Sequence, residues 1–327
     1  MNDVAGFVLF NFGGRHPGLA EGFSSIGIPL RCDDWAPAPQ TLETCRLALV
    51  DAHAAVRQPW RCRSLRLRLR RSGIPMILLD RDAPWHKGLR SHRLALFRAV
   101  AGAEAYATHS LQGCPNFPYP ALYLPNAVRP ALYHLHGAAL SEMRTANWYR
   151  WDVAFIGNLD AVRYPEHRTR AAYLADLATQ LATAGHRVRF ADVAQLAPGE
   201  DIEIIQRSRI NLQWGAAADD AGVVSWGLPE RCYGIPACGG FLLSDRRLHA
   251  IDDFRPDLEW AEFDPVRDPH SLMRQISFFL ANLPAARAIA EAAHLRVKAD
   301  HTYAQRAGRL LAYADAIRMP YAPESFL

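Results

Sequence analysis

The stretch from Trp226 to Asp245, WGLPERCYGIPACGGFLLSD, admits few folds. Pro229 is preorganised for a first helical position, where its missing amide is no loss, and Glu230 favours the positive end of a helix dipole. Leu228-Pro229-Glu230 therefore reads as a helix start. Gly239-Gly240 reads as its end, because glycine takes the left-handed conformation used at helix C-termini, and Phe241-Leu242-Leu243 has the composition of a buried strand. The helix is short and follows the glycine-bearing loop Gly222 to Gly227. Free amides at such an N-terminus form a ready anion site, so a phosphorylated ligand is expected above Leu228 to Arg231.

Similar strand-turn-helix punctuation runs through the first half. Val4 to Phe10 is a continuous apolar run, as in a buried parallel strand, followed by Asn11-Phe12-Gly13-Gly14 and a helix opening at Pro17. In a doubly wound sheet ligands meet the carboxyl ends of strands, which places Gly13, Gly14 and His16 at a site. A tight strand-to-helix turn accounts for the glycines equally well. Ile28 to Cys32, Leu47 to Val50, Met76 to Leu79, Ala105 to Thr108 and Ala121 to Leu124 are further short strands. Arg61 to Arg71 alternates Leu with Arg as a strand would, yet its place just before Gly73-Ile74-Pro75 and a strand favours a crossover helix. Its arginine side is a solvated face or a hold for nucleic acid, a lipid headgroup or an acidic glycan. Asp80-Arg81-Asp82-Ala83-Pro84-Trp85-His86 stands at another carboxyl end. Chemistry that needs a base within reach of a hydroxyl finds candidates here, Asp80 first, with His16 and His86 behind it. Capping a helix is the other role open to Asp80.

The second half opens on the strand Trp151 to Ile156 and the loop Gly157-Asn158-Leu159-Asp160, with Arg163 and Arg168 near the start of a helix from Pro165 to Ala184. A diphosphate needs amides and a cation; Gly157 permits backbone approach and either arginine supplies the charge. Arg187 to Ala191 is the next strand, with Asp192 at its end where a nucleobase is expected. Ile210 to Gln213 and Trp260 to Phe263 follow, and the tail is helical: Pro269 to Leu280, Leu283 to Lys298 and Tyr303 to Ile317.

Four motifs in order resemble the CgeB-like bacterial glycosyltransferases, a branch of the GT-B group. R-C-Y-G-I-P-A-C-G-G-F-L-L-S-D is similar to their R-V-F-E-x-x-A-C-G-G-F-L-L-T-D; Phe155-Ile156-Gly157-Asn158-Leu159-Asp160 resembles their opening strand and loop. Ser208-Arg209-Ile210-Asn211-Leu212 resembles S-K-I-x-L-N, and Asp300-His301-Thr302-Tyr303 with Arg306 resembles E-H-T-Y-x-x-R. Pro125-Asn126-Ala127-Val128 is similar to the segment where many GT-B chains leave their first domain. The resemblance implies an α/β chain of the GT-B type, two Rossmann-like domains with parallel sheets facing a central cleft. Residues 1–128 are the expected acceptor-side domain, 129–150 the connection, 151–302 the nucleotide-sugar domain and 303–327 a helix crossing back. Donor binding is expected at Gly13, Gly14, Gly157, Asn158, Arg163, Arg168, Asp192, Trp226, Leu228, Glu230 and Arg231, with Arg168 matching the family's helix-start arginine. The chain departs from the signature at Gly234, where the family has the Glu that holds the ribose. Glu230, one turn earlier on the same helix face, is the candidate replacement.

The implied activity is transfer of a sugar from a nucleotide-activated donor to an acceptor hydroxyl, without metal or other cofactor because amides and arginines neutralise the leaving diphosphate. A nucleotide-sugar 2-epimerase-type isomerase and a non-catalytic nucleotide-sugar-binding module are the alternatives. Residues 1–150 carry a net charge of +8 and residues 151–327 one of −4, so an anionic acceptor suits the first half: a surface glycan, a protein, or DNA with a hydroxylated base. The chain has only two lysines, Lys87 and Lys298, so an arginine bias in composition also explains the asymmetry. The six cysteines form no CxxC pair and no zinc spacing, which leaves them as buried or idle thiols. With no apolar run of membrane-spanning length and no leader-like N-terminus, a cytoplasmic protein is expected.

Overall fold

The computed structural model describes residues 6–11, 16–32, 35–80, 91–112, 119–162, 168–216, 219 and 223–318. The chain forms two compact units, Met1–Asn126 with Tyr303–Leu327, and Ala127–Thr302.

The first unit runs β1 (Phe7–Asn11), α1 (Pro17–Ser25), β2 (Leu30–Cys32), α2 (Pro39–Leu42), β3 (Cys45–Asp51), α3 (Ala52–Arg57), α4 (Pro59–Arg71), β4 (Met76–Asp80), α5 (Ser91–Val100), β5 (Ala105–Thr108) and β6 (Ala121–Tyr123). All six strands are parallel, in the order β2-β1-β3-β4-β5-β6. Every residue of β4 and β5 is buried, which is why these strands read as unbroken apolar runs. The Leu-Arg alternation of residues 61–71 is helical: Cys62, Leu65 and Leu69 recur at helical spacing and are buried together, whereas a strand would have put Leu65, Leu67 and Leu69 on one face. Indeed Leu67 is 44% exposed.

The second unit runs β7 (Trp151–Gly157), α6 (Arg168–Thr183), β8 (Val188–Asp192), α7 (Glu200–Gln206), β9 (Ser208–Gln213), α8 (Arg231–Ala237), β10 (Leu242–Asp245), α9 (Ala250–Asp253), β11 (Ala261–Phe263), α10 (Ser271–Ala281) and α11 (Leu283–Asp300). Its five parallel strands are ordered β11-β10-β9-β7-β8. Phe155, Ile210, Leu243 and Phe263 pack with α6, α10 and the start of α11 in one core cluster. Ile205, Leu228, Tyr233 and Leu242 belong to another, formed with α7, α8 and the end of α11. Residues 129–150, read from sequence as a connection, lie within this unit as turns, with Met143 fully buried. No helix among the described residues is long and apolar enough to cross a membrane.

Helix α12 (Tyr303–Ile317) belongs to the first unit, where it lies against α1. Two glycines permit this. A Cβ on Gly18 would stand 2.3 Å from the Tyr303 ring, and one on Gly22 would stand 2.1 Å from the Tyr303 carbonyl oxygen. The buried Arg306 donates to the carbonyls of Pro125 (2.9 Å) and Asn126 (3.0 Å), fastening α12 to the chain just past β6.

Candidate active site

In the second unit β7 is followed outward by β8 and then, on its other side, by β9. Loops leaving β7 and β9 therefore diverge and open a crevice at the carboxyl edge, the place where doubly wound sheets take ligands. A pocket of about 450 Å³ lies there, within the range of small-molecule sites. Ala154, Ile156, Gly157 and Leu212 from the sheet, Asp201 and Ile205 from α7, Arg231 and Ile235 from α8, and Tyr133, Asn158 and Glu230 are among its lining residues.

Gly157 is required by a neighbour. Arg231 turns inward, runs beside the Phe155 ring and donates to the Ile156 carbonyl at 2.8 Å; a Cβ on Gly157 would meet its Nη1 at 2.5 Å. Burial, and after it the charge of Arg170, pushes the Arg231 guanidinium down to about 10, so it stays charged at neutral pH.

The arginine at the loop after β7 is Arg170, which the sequence reading passed over. Arg168, the expected residue, is exposed at the first turn of α6, whereas Arg170 is 93% buried by its 7% exposure. Arg170 donates from Nη2 to the Asn158 carbonyl, and its Nε has no hydrogen-bond partner among the described residues. Burial lowers its pKa, against the opposing charge of Asp219. The clue available in sequence is spacing: a residue two positions into a helix lies some 200° round from the first.

Asp192 is committed to backbone. Its carboxylate accepts from the amides of Leu159 (3.2 Å) and Ala194 (2.9 Å), pinning the loops after β7 and β8 together. Asn158 accepts from the Asp160 amide at 2.9 Å. Leu228, expected at a ligand, is fully buried in the core, and α8 begins at Arg231, two residues past Pro229, with Glu230 at its N-cap. Trp226 is half-buried, edge-on to the His249 ring at 5.8 Å. Glu230, the residue before α8, lines the pocket.

Gly234 is enclosed by an aromatic ring, since a Cβ there would come within 3.2–3.3 Å of Tyr133. Burial, followed by the carboxylates of Glu230 and Asp201, pushes the Tyr133 phenol up to about 12, so it is a neutral hydrogen-bonding group at the pocket wall. Arg247 is buried in the same unit. This guanidinium pairs with Asp219 (3.0 Å) and Asp245 (2.8 Å) and donates to the carbonyls of Ser225 (3.2 Å) and Gly227 (3.4 Å).

The first unit has its own cluster at the carboxyl edge. A cavity of about 10 Å³, room for one water, is lined by residues that include His16, Asp80, His109, Tyr303 and Arg306. Asp80 is buried at the end of β4, and one of its oxygens accepts from the Tyr106 hydroxyl and lies 3.2 Å from the Thr108 hydroxyl. It caps no helix among the described residues. His16 caps α1, accepting from the Leu19 amide at Nδ1 (3.2 Å), with its ring 5.4 Å from that of Tyr303. A neutral imidazole that accepts at Nδ1 carries its proton on Nε2. In that tautomer Nδ1 is the acceptor that caps α1. His109, directly after β5, is a lining residue that sequence reading did not single out. Gly13, Gly14, His86 and Arg163 lie outside the described residues.

Two doubly wound parallel sheets and a C-terminal helix grouped with the first of them define the GT-B class. The model of the glycosyl transferase-like family matches residues 134–312, more than half of the chain, and the protein belongs to that family. No curated protein matches it by sequence. Among solved structures it is similar to sucrose-phosphate synthase from Thermosynechococcus elongatus (13% identity, 95% of this chain and 99% of that one, TM-score 0.60). HepE from Anabaena in complex with UDP and glucose is similar too (13% identity, 95% and 99%, TM-score 0.59), as is a glycosyltransferase from Rickettsia africae (9% identity, 96% and 99%, TM-score 0.59).

Proposed function

We propose that this protein transfers a sugar from a nucleoside diphosphate sugar to an acceptor hydroxyl, and that the diphosphate is held at the loop after β7 by Arg170. The observation that carries this reading is a buried guanidinium with an unused donor beside the backbone of Asn158, itself a lining residue of the 450 Å³ pocket. A guanidinium offers planar, paired donors matched to phosphate oxygens. With that charge and the backbone amides in place, the leaving diphosphate is neutralised without a metal ion. HepE, which shares the fold, has been captured with UDP and glucose, which makes a uridine diphosphate sugar the first donor to test. The four sequence motifs favour the CgeB-like branch of the family.

Asp80 is the carboxylate proposed to act on the acceptor hydroxyl. The Tyr106 and Thr108 hydroxyls hold it in one orientation. Asp80→Asn should lower transfer by about 100-fold or more while leaving nucleotide binding unchanged, and equal turnover would remove Asp80 from that role. A thermal-shift panel of uridine, guanosine and adenosine diphosphate sugars tests the donor site. One of them is expected to raise the melting temperature of the wild type and of Arg168→Gln, and to lose most of that effect in Arg170→Gln. No shift with any donor on folded protein would sink the transferase reading in favour of a non-catalytic module, and turnover of donor without an acceptor would favour the isomerase.

A further inference from the structure

Helices α3, α4 and α5 pack on one another on the outside of the first unit. Together they carry nine arginines and no Asp or Glu. Two of the arginines are structural: Arg66 binds Glu104 (2.9 Å) and the Ala101 carbonyl (2.6 Å), and Arg68 donates to the Pro37 carbonyl at 3.4 Å. The others, including Arg61, Arg63, Arg70 and Arg71 on α4 alone, are exposed and hold no hydrogen bond or ion pair among the described residues. An arginine-rich composition supplies arginines but does not strip their surroundings of carboxylates, and elsewhere in the chain exposed arginines do meet acids, as Arg46 meets Asp315 and Arg274 meets Asp268.

The outward stripe of α4 has an apolar centre. Cys62, Leu65 and Leu69 face the core, so the opposite side of the helix is centred on Trp60 and Leu67, seven residues apart and therefore one above the other. Trp60 is 64% exposed and Leu67 44% exposed. At 100° per residue, Arg63 and Arg70 lie along one flank of this pair, and Arg71 along the other. On α5, Arg93 stands one turn from Leu96, which is 47% exposed. Indole and leucine side chains between guanidinium groups match the boundary of a lipid bilayer: the apolar centre enters the headgroup layer while the flanks meet phosphates. A nucleic-acid duplex satisfies the charges and has no use for Leu67 and Leu96.

We propose that the α4–α5 face docks this protein on an anionic membrane surface, reversibly and without a spanning segment. The docking stands on the first unit alone; that it serves a lipid-carried acceptor rests on the transferase reading. The test is flotation of the full chain with vesicles of phosphatidylcholine containing about 30% phosphatidylglycerol, whose negative surface potential attracts basic segments. The wild type should float with these vesicles and stay behind with pure phosphatidylcholine. Arg63→Glu/Arg70→Glu/Arg71→Glu should weaken partitioning by about 100-fold, and the triple lysine variant should retain it. Trp60→Ser/Leu67→Ser should weaken it by about tenfold or more, because polar side chains cannot enter the headgroup layer. All these sites are exposed, so melting temperatures should not change. Failure of the folded wild type to float overturns the proposal. So does tighter binding to a DNA duplex at the same ionic strength, lost in the glutamate variant and indifferent to Trp60→Ser/Leu67→Ser.

Discussion

The residue that most changes the meaning of the sequence is Gly234. In the CgeB-like signature that the chain resembles, a Glu is expected here; in the fold Gly234 is the flat seat of the Tyr133 ring. The glycine and the ring that covers it lie 101 residues apart in sequence, so no local pattern reveals their contact. Restoring the family residue is therefore expected to hurt. Gly234→Glu should lose about 1–3 kcal/mol by forcing the ring away, as overpacking does. In a double-mutant cycle, adding Tyr133→Ala should recover part of that loss, measured by chemical denaturation; strict additivity of the two changes would show that they do not share the space. Arg170 teaches a related lesson. Arginine was foreseen at the start of α6, but which of Arg168 and Arg170 turns inward depends on where the helix begins and which face packs.

At the scale of elements, α12 depends on glycines in a partner helix. Its first residue rests on Gly18 and Gly22, and a methyl group on Gly22 has nowhere to go but into backbone. Gly22→Ala should cost about 3 kcal/mol, seen as a fall in Tm of about 6–12 °C if the unit melts cooperatively. Gly308, in the same helix α12, has open space around its Cβ position, and Gly308→Ala should stabilise by about 0.5–1 kcal/mol through helix propensity alone. The pair of substitutions has opposite signs for one reason, the surroundings of a single carbon. A fall in Tm for both would mean that α12 packs differently. The elements themselves were largely legible, because buried parallel strands are runs of apolar residues and glycine pairs stop helices: Gly239 takes a φ of +79° at the end of α8, as read. The Pro-Glu signal lies within two residues of the start of α8, because it is local, whereas the burial of Leu228 is set by neighbours from elsewhere in the unit.

For the whole molecule, buried charge pairs set the response to acid. Burial alone would raise the pKa of Asp219, but the Arg247 guanidinium and the amides of Ser225 and Ala216 outweigh it and hold the carboxyl below its ordinary 3.8. Asp152 is held down in the same way, against its burial, by Arg187. Both groups bind a proton more weakly when folded than when unfolded. Their stabilisation is thus complete above the ordinary carboxylate range and is lost as pH falls through it and below. Asp219→Asn should lower stability at pH 7 and flatten the acid limb of a stability-pH profile; an unchanged acid limb would take Asp219 out of the account. Removing the cation is worse, because Asp245 stays buried and Asp219 partly buried without their counter-charge. Arg247→Met should cost about 3–5 kcal/mol, read by denaturant melts at neutral pH.

The alternation of strand and helix, the parallel sheets that such alternation requires, and membership of the broad glycosyl transferase-like family are written in contiguous residues. Hydrophobic runs and glycine turns act over a few residues, and so can be read there. Folding alone buries Arg170 rather than Arg168 beside Asn158, sets Tyr133 over Gly234, ties Asp192 to two loop amides, sinks Leu228 into the core and makes His16 Nδ1 a helix cap. Most of these follow from side chains distant in sequence competing for the same space, hydrogen bond or charge. That competition exists only once the chain has folded.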